Sequence, residues 1–160
     1  MKKIFLFLLC LTLVFASCEK DDICLETTTP KLILRFYDVA STSDVKAVQR
    51  LSVWAEGKDT LTQYKNISLD SIALPLDVNA TQTIYHLKRN QVSGNKVNNE
   101  YATITINYVT EEIYVSRSCG FKSNFSSVGF SIDNGWIQSI APLNNLSINN
   151  ESKAHVQIFH

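Results

Sequence analysis

A chain of 160 residues, 45% of them apolar, can bury one sizeable core, and its length calls for no second domain. Its 15 basic side chains are matched by 15 acidic ones, which excludes the charge excess that a nucleic-acid binder presents as a basic face or stripe. Five glycines with no Gly-rich strand-to-helix turn exclude a phosphate-binding loop.

The chain opens with Lys2 and Lys3, followed by an apolar run from Ile4 to Phe15. That is signal-peptide geometry, too short for the roughly 20 residues of a transmembrane helix. An ordinary small-x-small cleavage site fits Phe15-Ala16-Ser17 poorly because of the phenylalanine. Phe15-Ala16-Ser17-Cys18 instead resembles the lipobox of bacterial lipoproteins, with Phe where Leu is usual. The resemblance implies that residues 1–17 are a lipoprotein signal peptide and that Cys18 becomes the lipidated N-terminus. Several acyl chains hold a protein on a membrane almost permanently, because each buried CH₂ contributes about 0.8 kcal/mol. Without the leader the chain carries 13 basic and 15 acidic side chains.

Cys10 leaves with the leader and Cys18 carries lipid, so Cys24 and Cys119 remain. Two thiols outside the cytoplasm most simply form one disulfide, here tying the start of the domain to a late strand. Neither has a CxxC, HExxH or neighbouring histidine beside it, so no metal site and no cofactor is expected. Cys24 lies six positions after Cys18, and at ~3.5 Å per residue the extended chain reaches at most about 20 Å from the lipid. Residues 18–29 are therefore a short tether. Within it, Lys20-Asp21-Asp22 resembles the surface-export signal of Bacteroidetes lipoproteins. That likeness implies the outer leaflet of the outer membrane, with the periplasmic face as the alternative.

Residues 30–160 read as strands. After Pro30, Leu32, Leu34 and Phe36 share one face of a strand. Val45, Val48 and Leu51 have helical spacing, whereas Leu51 to Ala55 alternates as a strand, and a strand from about Gln49 is favoured. Leu61 to Leu74 is β-branched and polar by turns, and Thr81 to Leu87 alternates. Lys88 to Glu100 is a polar run with Gly94 and four asparagines and almost nothing to bury, and reads as a long hairpin loop. Tyr101 to Val109 is the cleanest strand, Thr110-Glu111-Glu112 reads as a turn, and Ile113 to Ser118 as the next strand. The apolar pattern then continues from Phe121 to Ile132 and ends at the Asp133-Asn134-Gly135 turn. An irregular stretch from Trp136 to Ile148 precedes a last strand, Ala154 to Phe159. Seven or eight short strands without a sustained helix predict an all-β, antiparallel, immunoglobulin-like sandwich.

The segments Cys18 to Cys24, Thr29 to Asp38 and Val115 to Phe121 together resemble an uncharacterised family of Bacteroidetes lipoproteins of unknown function. The resemblance implies location and kinship, but no reaction. Catalysis finds little support in the residues. His86, His155 and His160 have no serine or acid motif beside them and read as edge-strand or surface histidines. Asp21/Asp22 and Glu111/Glu112 are adjacent carboxylates, which in a strand point to opposite faces and in a turn are usually solvated, so neither reads as an acid/base pair. The expected function is a non-enzymatic binding or structural module of the outer membrane, its partner an envelope protein met through a sheet edge. The alternative is glycan binding, for which Trp54, Trp136, Tyr64, Tyr85, Tyr101 and Tyr108 are the candidate stacking surfaces; a hydrolase is the weakest reading. A concave aromatic groove would favour the glycan. Asp59-Thr60-Leu61 and Asp70-Ser71-Ile72 resemble Bacteroidetes O-glycosylation triplets, which makes Thr60 and Ser71 candidate modification sites.

Overall fold

The computed structural model describes residues 24, 29–90, 98–133, 135–143 and 147–160. The expected signal peptide, Cys18, Lys20, Asp21 and Asp22 lie outside the described residues. Among those described, nine strands form two sheets: β1 (Leu32–Tyr37), β2 (Val48–Ala55), β3 (Ile67–Leu69), β4 (Ser71–Leu74), β5 (Gln82–Asn90), β6 (Asn99–Ser116), β7 (Gly120–Asp133), β8 (Ser139–Pro142) and β9 (Val156–Phe159). One sheet runs β4-β1-β9-β8 and the other β3-β2-β5-β6-β7, stacked as a sandwich over a single apolar core. No α-helix occurs among these residues, and none of them forms a helix long and apolar enough to cross a membrane. The all-β sandwich is as expected, with nine strands in place of seven or eight. Antiparallel pairing has one exception. β1 and β9 run parallel, Leu34 opposite Val156, so nearly the whole domain serves as the crossover a parallel pair requires.

Alternation explains the core. Leu32, Leu34 and Phe36 of β1 are fully buried, as are Ile104 and Ile106 of β6, and each such side chain contributes about 1.5–3 kcal/mol on leaving water. The helical spacing around Val48 has a different origin. Val48 pairs with Leu69 and Leu51 with Ile67, so β2 carries one extra residue there, and Arg50 adopts a positive φ of 49°. This β-bulge lets two residues three apart face the same core, imitating a helix in the sequence.

Two expected breaks are strand. Lys88 to Asn90 belongs to β5 and Asn99 to Glu100 to β6, because Arg89 and Glu100 are cross-strand partners joined by an ion pair of 2.7 Å. Arg89 is the inward residue of the alternation, so a polar stretch concealed a regular ladder. Thr110-Glu111-Glu112 lies inside β6, which runs unbroken for 18 residues to a turn at 117–119. Beyond Asn107, the last partner of β5, β6 is paired with β7 alone. Phe125, opposite Thr110, is still buried and bridged to Ile148, and Ser123, opposite Glu112, is bonded to Thr29; only past that pair does the hairpin project beyond the body, where a strand without a covering layer needs no apolar alternation. A bulge at Ser127, whose φ is 52°, falls on β7 opposite the point where β6 parts from β5.

Cys24 and Cys119 are joined as a disulfide with Cα atoms 4.9 Å apart, bonding the tether to the hairpin turn. The bond spans 95 residues, and chain entropy assigns about 4.7 kcal/mol to a loop of that size. At the other end of β7, Gly135 passes so close to β6 that a Cβ would lie 2.1 Å from the Tyr101 carbonyl oxygen. Only glycine fits.

Candidate functional site

Register alone places the outward residues of the five-stranded sheet. Trp54 of β2 stands opposite His86 of β5, His86 opposite Thr103 of β6, and Lys88 opposite Tyr101. Their chain neighbours Val53, Leu87, Ala102 and Ile104 point into the core, so the pleat turns Trp54, His86 and Tyr101 outward together. The Trp54 and His86 rings lie 5.5 Å apart at 31°, and Tyr101 meets Trp54 edge-on at 6.5 Å and 81°. Tyr101 is 56% exposed. The β2–β3 connection rises beside them and adds Lys58, Asp59, Lys65 and Asn66 around a depression of about 480 Å³. Asn66 holds its place in the left-handed region, φ 57°, with its N–H donating to Ser52 Oγ at 3.0 Å.

Two neighbours fix the histidine. Its Nδ1 contacts Thr103 Oγ1 at 3.1 Å and its Nε2 pairs with the Glu56 carboxylate. Carboxylate, imidazole and hydroxyl in line have the order of a hydrolytic triad. Thr103 sits mid-strand between β5 and β7, where the backbone N–H groups are engaged in the ladders. The arrangement suits holding a ring in place beneath Trp54.

The other four aromatics are buried. Tyr85 donates to the Pro75 carbonyl, Tyr108 to that of Asp77 at 2.7 Å, and the Tyr64 hydroxyl meets Ala73. Burial pushes the Tyr85 phenol far above its ordinary range, and that of Tyr108 upward. Trp136 is 5% exposed, with the Arg89 guanidinium 4.7 Å from its ring centroid. The expected surface or edge placement of two histidines is corrected as well. His155 and His160 flank β9, which lies between β1 and β8, and both are buried. His155 Nδ1 accepts from the Ile33 N–H at 2.9 Å while Nε2 donates to the Asn150 carbonyl at 3.0 Å. His160 Nδ1 accepts from Arg89 at 3.1 Å and Nε2 donates to the Lys46 carbonyl at 3.2 Å. Burial is the main cause holding both imidazoles below the usual histidine range, in keeping with these neutral tautomers.

Thr60 is half-buried and bridges antiparallel to Trp54, at the rim of the aromatic depression. Ser71 is also half-buried, on β4, and its hydroxyl donates to the Leu34 carbonyl at 3.2 Å. The two candidate modification sites are thus apart, Thr60 in the connection beside the five-stranded sheet and Ser71 on the four-stranded sheet. Asp38, held below the usual carboxylate range by the Ala40 N–H and then by Lys46 at 3.2 Å, forms a local structural pair. Among the described residues no group of three or more His, Cys, Asp or Glu side chains is placed to hold a metal ion.

The sequence had marked Trp54 and Tyr101 among six aromatics without separating them. It missed Glu56, His86 and Lys88 as their companions, although outward alternation of His86 with Ile84 and Lys88 was the available signal. Residues 50–160, which include this whole face, match a family described as a family of unknown function, DUF6452. No curated protein and no solved structure matches the chain.

Proposed function

We propose that this chain, which belongs to the DUF6452 family of unknown function, is a lipid-anchored, non-enzymatic module of the Bacteroidetes outer membrane that binds a glycan on its Trp54–Tyr101 face. The carrying observation is that these two rings, of six candidates, stand outward in a shallow depression rimmed by Lys58, Asp59, Lys65, Asn66 and Lys88. Sugar rings offer an apolar C–H face and a rim of hydroxyls. Two nearly perpendicular aromatics can cover the first while amine, carboxylate and amide groups bond the second. Anchoring follows from the Lys2-Lys3 leader and the Cys18 lipobox, and surface display from Lys20-Asp21-Asp22.

Glycan arrays probed with the purified protein, followed by calorimetric titrations of wild type and variants and by Trp54 emission of the wild type, test the binding. Trp54→Ala and Tyr101→Ala are each expected to weaken a positive glycan at least tenfold, the scale of about 1.4 kcal/mol. Wild-type protein that binds no oligosaccharide on the array and shows no change in emission would overturn the reading. Intact mass of the protein from cells, compared with Cys18→Ala, tests the anchor: an acyl increment lost in the variant is expected.

A further inference from the structure

At the distal end of the β6–β7 hairpin, Tyr114 and Phe121 are cross-strand partners that leave the body of the protein altogether. They are 56% and 67% exposed, with ring centroids 5.4 Å apart at 67°. Ile113 is exposed as well, on the adjacent position. Their mutual packing accounts for only about 0.2–1 kcal/mol of hairpin stability, and with neither ring in the core most of their apolar surface is left open to a partner. The turn between them holds Cys119, bonded to Cys24, and Cys24 lies six positions from Cys18. The rings are therefore tied within reach of whatever holds Cys18. Charge is graded along the same hairpin: Arg117 and Lys122 flank the rings, whereas Glu111 and Glu112 stand further back toward the body.

We propose that Tyr114 and Phe121 rest in the interfacial layer of the bilayer that carries the acyl chains of Cys18, with Arg117 and Lys122 reaching lipid phosphates. The inference rests on the anchor reading above. Aromatic rings settle at the headgroup level, where an apolar body and a polar rim are both accommodated, and lysine or arginine stems lie along apolar surface with their charge among the headgroups. The hairpin then acts as a second foot beside the lipid. It stands the domain upright, and Tyr101 lies 13 residues back along β6, about 43 Å away at roughly 3.3 Å per residue.

The test uses the full lipidated protein in vesicles of phosphatidylethanolamine and phosphatidylglycerol, with and without brominated acyl chains. Phe121→Trp reports the hairpin end. Val39→Trp reports the opposite end of the body, since the chain leads from Thr29, bonded to Ser123, along β1 to the loop in which Val39 is bonded to the His160 carbonyl. Native Trp54 and Trp136 are subtracted with the wild type. The expected result is a blue shift and about two-fold bromine quenching of the indole at position 121, from a depth of about 5–10 Å, with position 39 unaffected. Protein that floats with the vesicles and carries the acyl mass, yet is not quenched at position 121, overturns the docking and spares the anchor. A blue shift without bromine quenching assigns the rings to a protein surface and likewise overturns it. Absence of both acyl mass and flotation overturns the anchor, and this inference with it.

Discussion

Strand β6 carries an exposed tyrosine near each end, and the two have opposite company. Tyr101 stands over a sheet five strands wide, edge-on to Trp54 and ringed by lysines, an aspartate and an asparagine. Tyr114 stands on a ribbon two strands wide, edge-on to Phe121, with apolar Ile113 beside it. Equal exposure thus means a polar-rimmed depression at one end and an apolar tip at the other. The stretch between them shows why. From Ala102 to Tyr108 every second residue is buried beneath the second sheet, whereas from Glu111 to Tyr114 all are exposed. The chain is equally extended in both halves, so burial reports what covers a strand, not whether a strand is present.

The largest effect should come from the covered half. Ile106→Ala is expected to destabilise the domain by about 2–5 kcal/mol in urea melts, and Ile113→Ala, with no layer over it, by no more than about 0.5 kcal/mol. Equal losses would mean that the distal hairpin is covered after all. Next, Cys119→Ser is expected to cost about 2–4 kcal/mol, with amide exchange accelerating in residues 109–123 before it does in 99–107. Uniform acceleration would show that hairpin and body open together. Gly135→Ala, which drives a Cβ against the Tyr101 carbonyl, should cost about 1–3 kcal/mol. It should also weaken saccharide binding while leaving the bromine quenching of a Phe121→Trp protein intact, separating the two ends.

The mildest effect is expected from pH and belongs to the body alone. Burial lowers the affinity of His155 and His160 for protons in the folded state, so the unfolded chain takes them up first as the medium is acidified. The stability contributed by their neutral hydrogen bonds is complete above about pH 6.5 and declines as pH falls below it. Thermal melts between pH 7.5 and 5.5 should show that decline, reduced in His155→Gln, with hairpin exchange unaffected apart from the global trend.

Residues written in strict alternation were legible. Leu32, Leu34 and Phe36, or Ile104 and Ile106, declare a strand and its inner face because a period of two admits little else. The same logic failed where the inward residue was polar. Arg89 is buried against Trp136, Glu100 and His160, and each of those partners lies more than ten residues away in sequence. Val48 and Leu51 left helix and strand in competition, since a bulge and a helix produce the same spacing, although the strand favoured from about Gln49 is the one observed.

By itself the sequence determined an all-β chain, because β-branched and aromatic alternation recurs between turn residues and requires no knowledge of neighbours. It also placed two cysteines where oxidation would close most of the domain. Only the tertiary structure decided which aromatics are core and which are surface, that two histidines are interior, and that β6 and β7 outrun the sandwich. Each of these depends on whether a second sheet lies over a given strand face, and that is set by contacts between residues far apart in the chain.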